Sequence, residues 1–267
     1  MKHLIWLSVV SGYRSNSFKI LLFLLLASVW LAWLAAGFSA RSPDSLMLDV
    51  GLSLQRIVLT LMAVFWVQDL YYKDLERKAA IFLLAYPISR ATYLLARFFG
   101  VWALITVSVL VSALLLYLAV RVGGGEYVQT FPVNMGSPYI ATWVYFWLDV
   151  TLVAAFAFML CSVSETPNLP LLCAIAFSIA MHAMGPILDY LRYGDDVKEE
   201  HQQWIQPFIE DVINLLPDLD RLDLRAWTLY GEMPPVDLMF WGAAVAVSYT
   251  ALFISLSVIG LNRREIV

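Results

Sequence analysis

Charge is what this chain has least of. Asp, Glu, Lys and Arg together make up 14% of its 267 residues, against 61% apolar side chains. Soluble domains carry roughly a quarter charged residues, and a water-facing surface needs more polar material than this composition supplies. A soluble globule is thereby excluded. Metal-ligand chemistry is equally thin. The two cysteines, Cys161 and Cys173, have no ligand spacing and fall in or near apolar runs, where a structural disulfide has no place. Of the three histidines, His3 and His201 lie outside the apolar runs in different compartments, and His182 lies inside one. They cannot build one zinc site. No Ser or Asp partner is obvious at the depth of His182 on an adjacent turn, so it reads as a polar contact within a helix bundle.

Enzyme signatures are missing too. The chain has no GxxxxGK[ST] phosphate loop: Gly123-Gly124-Gly125 runs into Glu126 without a lysine and reads as a turn. A GxSxG nucleophile elbow is also absent, and no repeat or low-complexity tract interrupts the chain. The net charge of −4 argues against a nucleic-acid partner. Neither a catalytic residue nor a resident cofactor or metal is expected.

What the chain has in abundance is long apolar runs. Only helices and closed barrels span lipid, and a helical span takes about 20 mostly apolar residues. Six such stretches are expected at about 20–38, 50–67, 98–120, 140–163, 169–188 and 238–261. The first follows a charged, aromatic-containing arm and exceeds a signal-peptide core, so it reads as a retained span. The expected fold class is all-α, a single transmembrane domain over 1–267. Ten basic residues fall on one side: Lys2, Arg14, Lys19, Lys73, Arg77, Lys78, Arg90, Arg97, Arg263 and Arg264. The short loops follow the same bias, which predicts both termini in the cytoplasm.

Two segments outside the spans have content. The stretch 68–97 crowds charge at its start (Lys73, Asp74, Glu76, Arg77, Lys78) and then spaces Leu75, Ala79 and Phe82 helically. Pro87 stops that helix, and Ser89 is placed to cap the next one. A short helix along the cytoplasmic membrane face, turned tightly into a span, can pass a push from a soluble partner; an interfacial helix without a partner gives the same pattern. The other segment, 191–235, holds ten acids against four basic residues. It is expected outside, with an amphipathic helix over 198–213 and a shallow, leucine-alternating element over 215–224.

Between spans two and three the chain resembles the permease subunits of type-2 ATP-binding-cassette exporters. The pattern is Glu76, Leu83-Leu84, Pro87-Ile88-Ser89-Arg90 and Arg97, and the ending from Ile259 to Ile266 is similar to the family's last span and basic tail. The group includes the permease of the nitrous-oxide-reductase copper maturation system. Where the family usually carries glycine after the glutamate, this chain has Ala79 and Ala80. The resemblance implies two separate ATPase subunits that bind ATP and grip Glu76, Arg77, Lys78, Phe82, Pro87 and Arg90. It also implies a second permease copy or homologue, surrounding lipid and a bacterial inner-membrane location. A non-transporting scaffold or assembly factor is the alternative function.

Two charges interrupt the spans. Arg56 is expected roughly 9 Å and Asp149 roughly 14 Å below the outer edge of their spans, counted at 1.5 Å per residue. Either charge alone in hydrocarbon is costly. They can form a buried pair, one of them can line a translocation cavity, or Arg56 can reach the outer headgroups while Asp149 takes a hydroxyl such as Thr151 or Ser112, or a water-filled cavity.

Overall fold

The structure, a computed structural model, describes residues 2–39, 42–76, 89–123, 133–166, 168–193 and 219–264. All regular structure among them is helical. In chain order the helices are α1 (Lys2–Arg14), α2 (Asn16–Gly37), α3 (Pro43–Val67), α4 (Lys73–Glu76), α5 (Arg90–Gly123), α6 (Ser137–Val163), α7 (Asn168–Tyr193), α8 (Arg225–Tyr230) and α9 (Val236–Arg263). A π-helical turn, Gln68–Tyr72, joins α3 to α4 without a break, and a 3-10 turn, Asp220–Leu222, precedes α8. Six helices are long and apolar enough to cross a membrane: α2, α3 with its extension, α5, α6, α7 and α9.

The helices outrun the apolar stretches that announce them. Hydropathy marks the lipid zone, whereas backbone hydrogen bonding ends where a cap ends it. Thus α3 begins at Pro43, a residue suited to a first turn, with Asp44 beside it. Ser89 caps the start of α5, its hydroxyl accepting from the Thr92 amide at 3.1 Å. Counted from these helix ends, Arg56 lies about 20 Å and Asp149 about 18 Å along its helix, deeper than the hydropathy boundaries imply.

Burial sorts the bundle. In α3 and α6 most of the apolar window is inside the protein (61% and 67%), against 28% in α2, α7 and α9. The inner pair therefore forms the core, and the outer helices present residues such as Phe23, Trp30, Ile179 and Trp241 outward. In lipid such exposure carries no penalty, because association there rests on close packing and polar contacts. Accordingly α9 packs along α6, α2 along α3, and α7 against both α6 and α3.

Helix α1 and the last turn of α9 lie at one end of the bundle, the end that carries the termini. Helix α1 lies against the first turns of α5, with Ser8 on Gly100, where a Cβ would collide with the Ser8 side chain. At the same end Arg90 donates to the carbonyls of Leu261, Asn262 and Arg264 at 3.0, 3.2 and 2.9 Å, which closes the last turn of α9. At the opposite end, the strap from Leu219 to Pro235 folds back onto α6. Thr142 Oγ1 lies 2.8 Å from Thr228 Oγ1 and donates to the Leu224 carbonyl at 3.1 Å. Gly231, at φ 76°, ends α8 in the left-handed conformation that glycine adopts freely.

Candidate functional site

The bundle brings Arg56 and Asp149 together and adds partners that are remote in sequence. Arg56 Nε donates to Asp149 Oδ2 at 3.0 Å, Nη1 to Asp223 Oδ2 at 2.8 Å and Nη2 to the Leu219 carbonyl at 3.3 Å. Its guanidinium stands 5.1 Å from the ring centre of Phe146. Three of its five N–H groups are thereby used, by two separate acids and one carbonyl. The arrangement is a cluster rather than a pair.

His182 belongs to it. The side chain projects from α7, with Nε2 3.0 Å from Asp149 Oδ2 and Nδ1 2.6 Å from the Ser178 carbonyl. This corrects the reading of His182 as lacking an acidic partner: Asp149 lies across a helix interface, which spacing along the chain does not reveal. Asp149 itself is fully buried, and its Oδ1 has no hydrogen-bond partner among the described residues.

The strap supplies the remaining members. Arg225 grips Asp223 through Nε and Nη2 at 2.8 and 2.6 Å, donates from Nη1 to Ser53 Oγ at 2.5 Å and lies 3.8 Å from Asp49. Burial alone would push the Asp223 carboxyl up, but the Arg225 hydrogen bonds and the Arg56 and Arg225 charges outweigh it and hold Asp223 below the ordinary carboxylate value. The alternating leucines expected to lie shallowly are in fact buried: Leu219, Leu222 and Leu224 turn into the protein. Their alternation with Asp and Arg is the signal that could have identified Asp223 and Arg225, since one face of the strap is apolar and the other carries charge to Arg56.

A cavity of about 540 Å³ lies against this cluster. Ser53, Arg56, Ile57 and Thr60 line it from α3, Ser178, Ile179 and His182 from α7, and Arg225 from the strap. Its charged lining is cationic, with the carboxylates of Asp149 and Asp223 set behind.

At the end carrying the termini a second cluster forms. Arg97 pairs with Asp74 of α4, donates to Ser8 Oγ of α1 at 2.8 Å and lies over the ring of Tyr93. The π-helical turn beside it buries Tyr71, whose hydroxyl is 2.7 Å from Ser162 Oγ, itself 2.6 Å from Ser257 Oγ. Glu76 is exposed and Arg90 is turned toward the end of α9. Arg77, Lys78, Phe82 and Pro87 lie outside the described residues, as do the stretch 198–213 and most of the glycine triplet.

Among curated proteins none matches the chain. The family profile described as ABC-2 family transporter protein matches residues 34–264, a range that contains every charged residue of both clusters. The chain belongs to that family, as a multi-pass permease subunit of an ATP-binding-cassette transporter.

Proposed function

We propose that the chain is the permease of an ATP-driven exporter in a bacterial inner membrane. Both termini are in the cytoplasm, and the chain pairs with a second permease copy and with two separate ATPase subunits that bind and hydrolyse ATP. One observation carries the coupling part of this reading: helix runs unbroken from Pro43 through the π-helical turn to Glu76. Glu76 is exposed at its end, and Arg56 projects from the same rod into the cavity wall. Asp74 clamps the rod to α5 through Arg97, so displacement at Glu76 has a rigid path to the cavity. Cargo then meets the cavity between α3 and α7. Resemblance to the copper maturation permease group rests on the Pro87-Ile88-Ser89-Arg90 pattern and is part of the same proposal.

The test is Glu76→Lys in the complex assembled in mild detergent. Substrate-stimulated ATP hydrolysis should be lost while membrane insertion and permease dimerisation persist. Unchanged stimulation sinks the assignment of Glu76, and failure of any ATP-binding-cassette subunit to co-purify sinks the exporter reading.

A further inference from the structure

Hydrogen-bond accounting at His182 leaves one proton over. Nδ1 lies 2.6 Å from the Ser178 backbone carbonyl, which can only accept, and 3.5 Å from the Ser178 hydroxyl; the much shorter contact with the carbonyl places a proton on Nδ1. A neutral imidazole has a single N–H. With that one directed at Ser178, the Nε2 lone pair would face a carboxylate lone pair of Asp149 at 3.0 Å. The contact is attractive only when a further proton lies between the two atoms. Asp149 Oδ2 also accepts from Arg56 Nε at 3.0 Å, which favours the carboxylate form and places that proton on the imidazole.

The other charged groups around the contact are accounted for among the described residues. Arg56 and Arg225 face the buried carboxylates of Asp149 and Asp223, and Asp49, half exposed, lies 3.8 Å from Arg225 at the edge of the cluster. Asp220 packs against α7 at Gly185 and Arg221 against α9 at Gly242.

We propose that His182 and Asp149 form a proton-binding site of the permease, which holds one exchangeable proton in the wall of the cavity between α3 and α7. His182 is the member that meets the cavity, at 22% side-chain exposure against 0% for Asp149. Proton release breaks the bond from α7 to α6 and leaves Asp149 Oδ2 with Arg56 as its donor. Helix α7 lacks one backbone hydrogen bond at this turn, because Pro186 has no N–H to give the His182 carbonyl four residues earlier. Loss of the proton therefore frees the turn around His182, and the cavity wall with it. The site follows from the geometry of this chain and does not depend on the exporter reading.

The experiment uses the full chain in lipid nanodiscs with 15N-labelled histidine. The double variant His3→Gln, His201→Gln leaves His182 as the single histidine. The expected spectrum at neutral pH is that of a ring protonated on both nitrogens. In Asp149→Asn the same ring should be neutral at neutral pH. Amide exchange around His182, corrected for its intrinsic pH dependence, should rise on the alkaline side. It should lose that rise in His182→Gln, whose amide keeps an N–H for Asp149 at every pH. Should the ring prove neutral, a protonated-carboxyl infrared band that Asp149→Asn abolishes puts the proton on Asp149 and sustains the site. A neutral ring without that band overturns it, and so does an α7 exchange profile indifferent to pH in the parent chain.

Discussion

The two buried ionic clusters are built on opposite plans. At the end carrying the termini, Arg97 meets one acid, Asp74, whose side chain is 24% exposed and can draw on water. In the interior, Arg56 serves two acids at once, and one of them, Asp149, has no exposure at all. A cluster at helix ends can leave part of its solvation to the surroundings. One at mid-bundle has to satisfy its charges from within the protein, which is why α3, α6, α7 and the strap all contribute to it. The difference also separates rigidity from response. The outer cluster ties three helix ends together, while the inner one borders the cavity and changes its charge balance by a single proton.

Substitution can break or sharpen that contrast. The largest loss is expected for Arg56→Ala, which takes from Asp149 and Asp223 the one cation they share. Removing one partner from a buried ionic group costs about 4 kcal/mol, read as a lower unfolding temperature and a poorer yield in mild detergent. Exchanging the charges, Arg56→Asp with Asp149→Arg, should fail to restore stability, because the reversed acid then opposes Asp223. Full recovery would reduce the cluster to a simple pair.

A smaller loss, about 2 kcal/mol, is expected for Arg97→Ala, as fits a charge-assisted hydrogen bond whose acid reaches water. Equal losses at Arg56 and Arg97 would erase the distinction between the two plans. Smaller again is Ser89→Ala, which removes an exposed helix cap worth about 1 kcal/mol and should loosen the start of α5 without disturbing either cluster. Helix-resolved amide exchange would show whether the change stays local.

The smallest response is that of Asp223 to pH. A carboxyl held below its ordinary value stabilises the fold at pH above the ordinary carboxylate range, and that contribution is lost as pH falls through its lowered value. The strap should therefore stay anchored between about pH 5 and 8, and detach only in stronger acid. Fluorescence of Trp227 in the strap reports this; detachment near neutral pH would mean that Asp223 is not held by Arg56 and Arg225.

Much of the fold was legible because lipid imposes a rule that acts residue by residue. Unbroken apolar stretches such as those ending at Phe38 and Leu261 must cross as helices, whatever they pack against. Ser89 was legible as a cap for the same local reason, since a hydroxyl ahead of a helix reaches amides only three residues on. The strap was harder to read. Its leucines look like a surface element until α6 and α7 provide something to bury them against.

The sequence by itself determined that this chain is helical, that six of its stretches can cross a membrane, and that Arg56, Asp149 and His182 each sit in an apolar run needing a partner. Tertiary structure alone decided which partner each one has. Arg56 reaches Asp149 across 93 residues of chain and Asp223 across 167. Hydropathy and helical period act over a few turns, and a polar group in lipid is satisfied by whatever donor or acceptor the packed neighbouring helix presents. That choice exists only once the helices have docked.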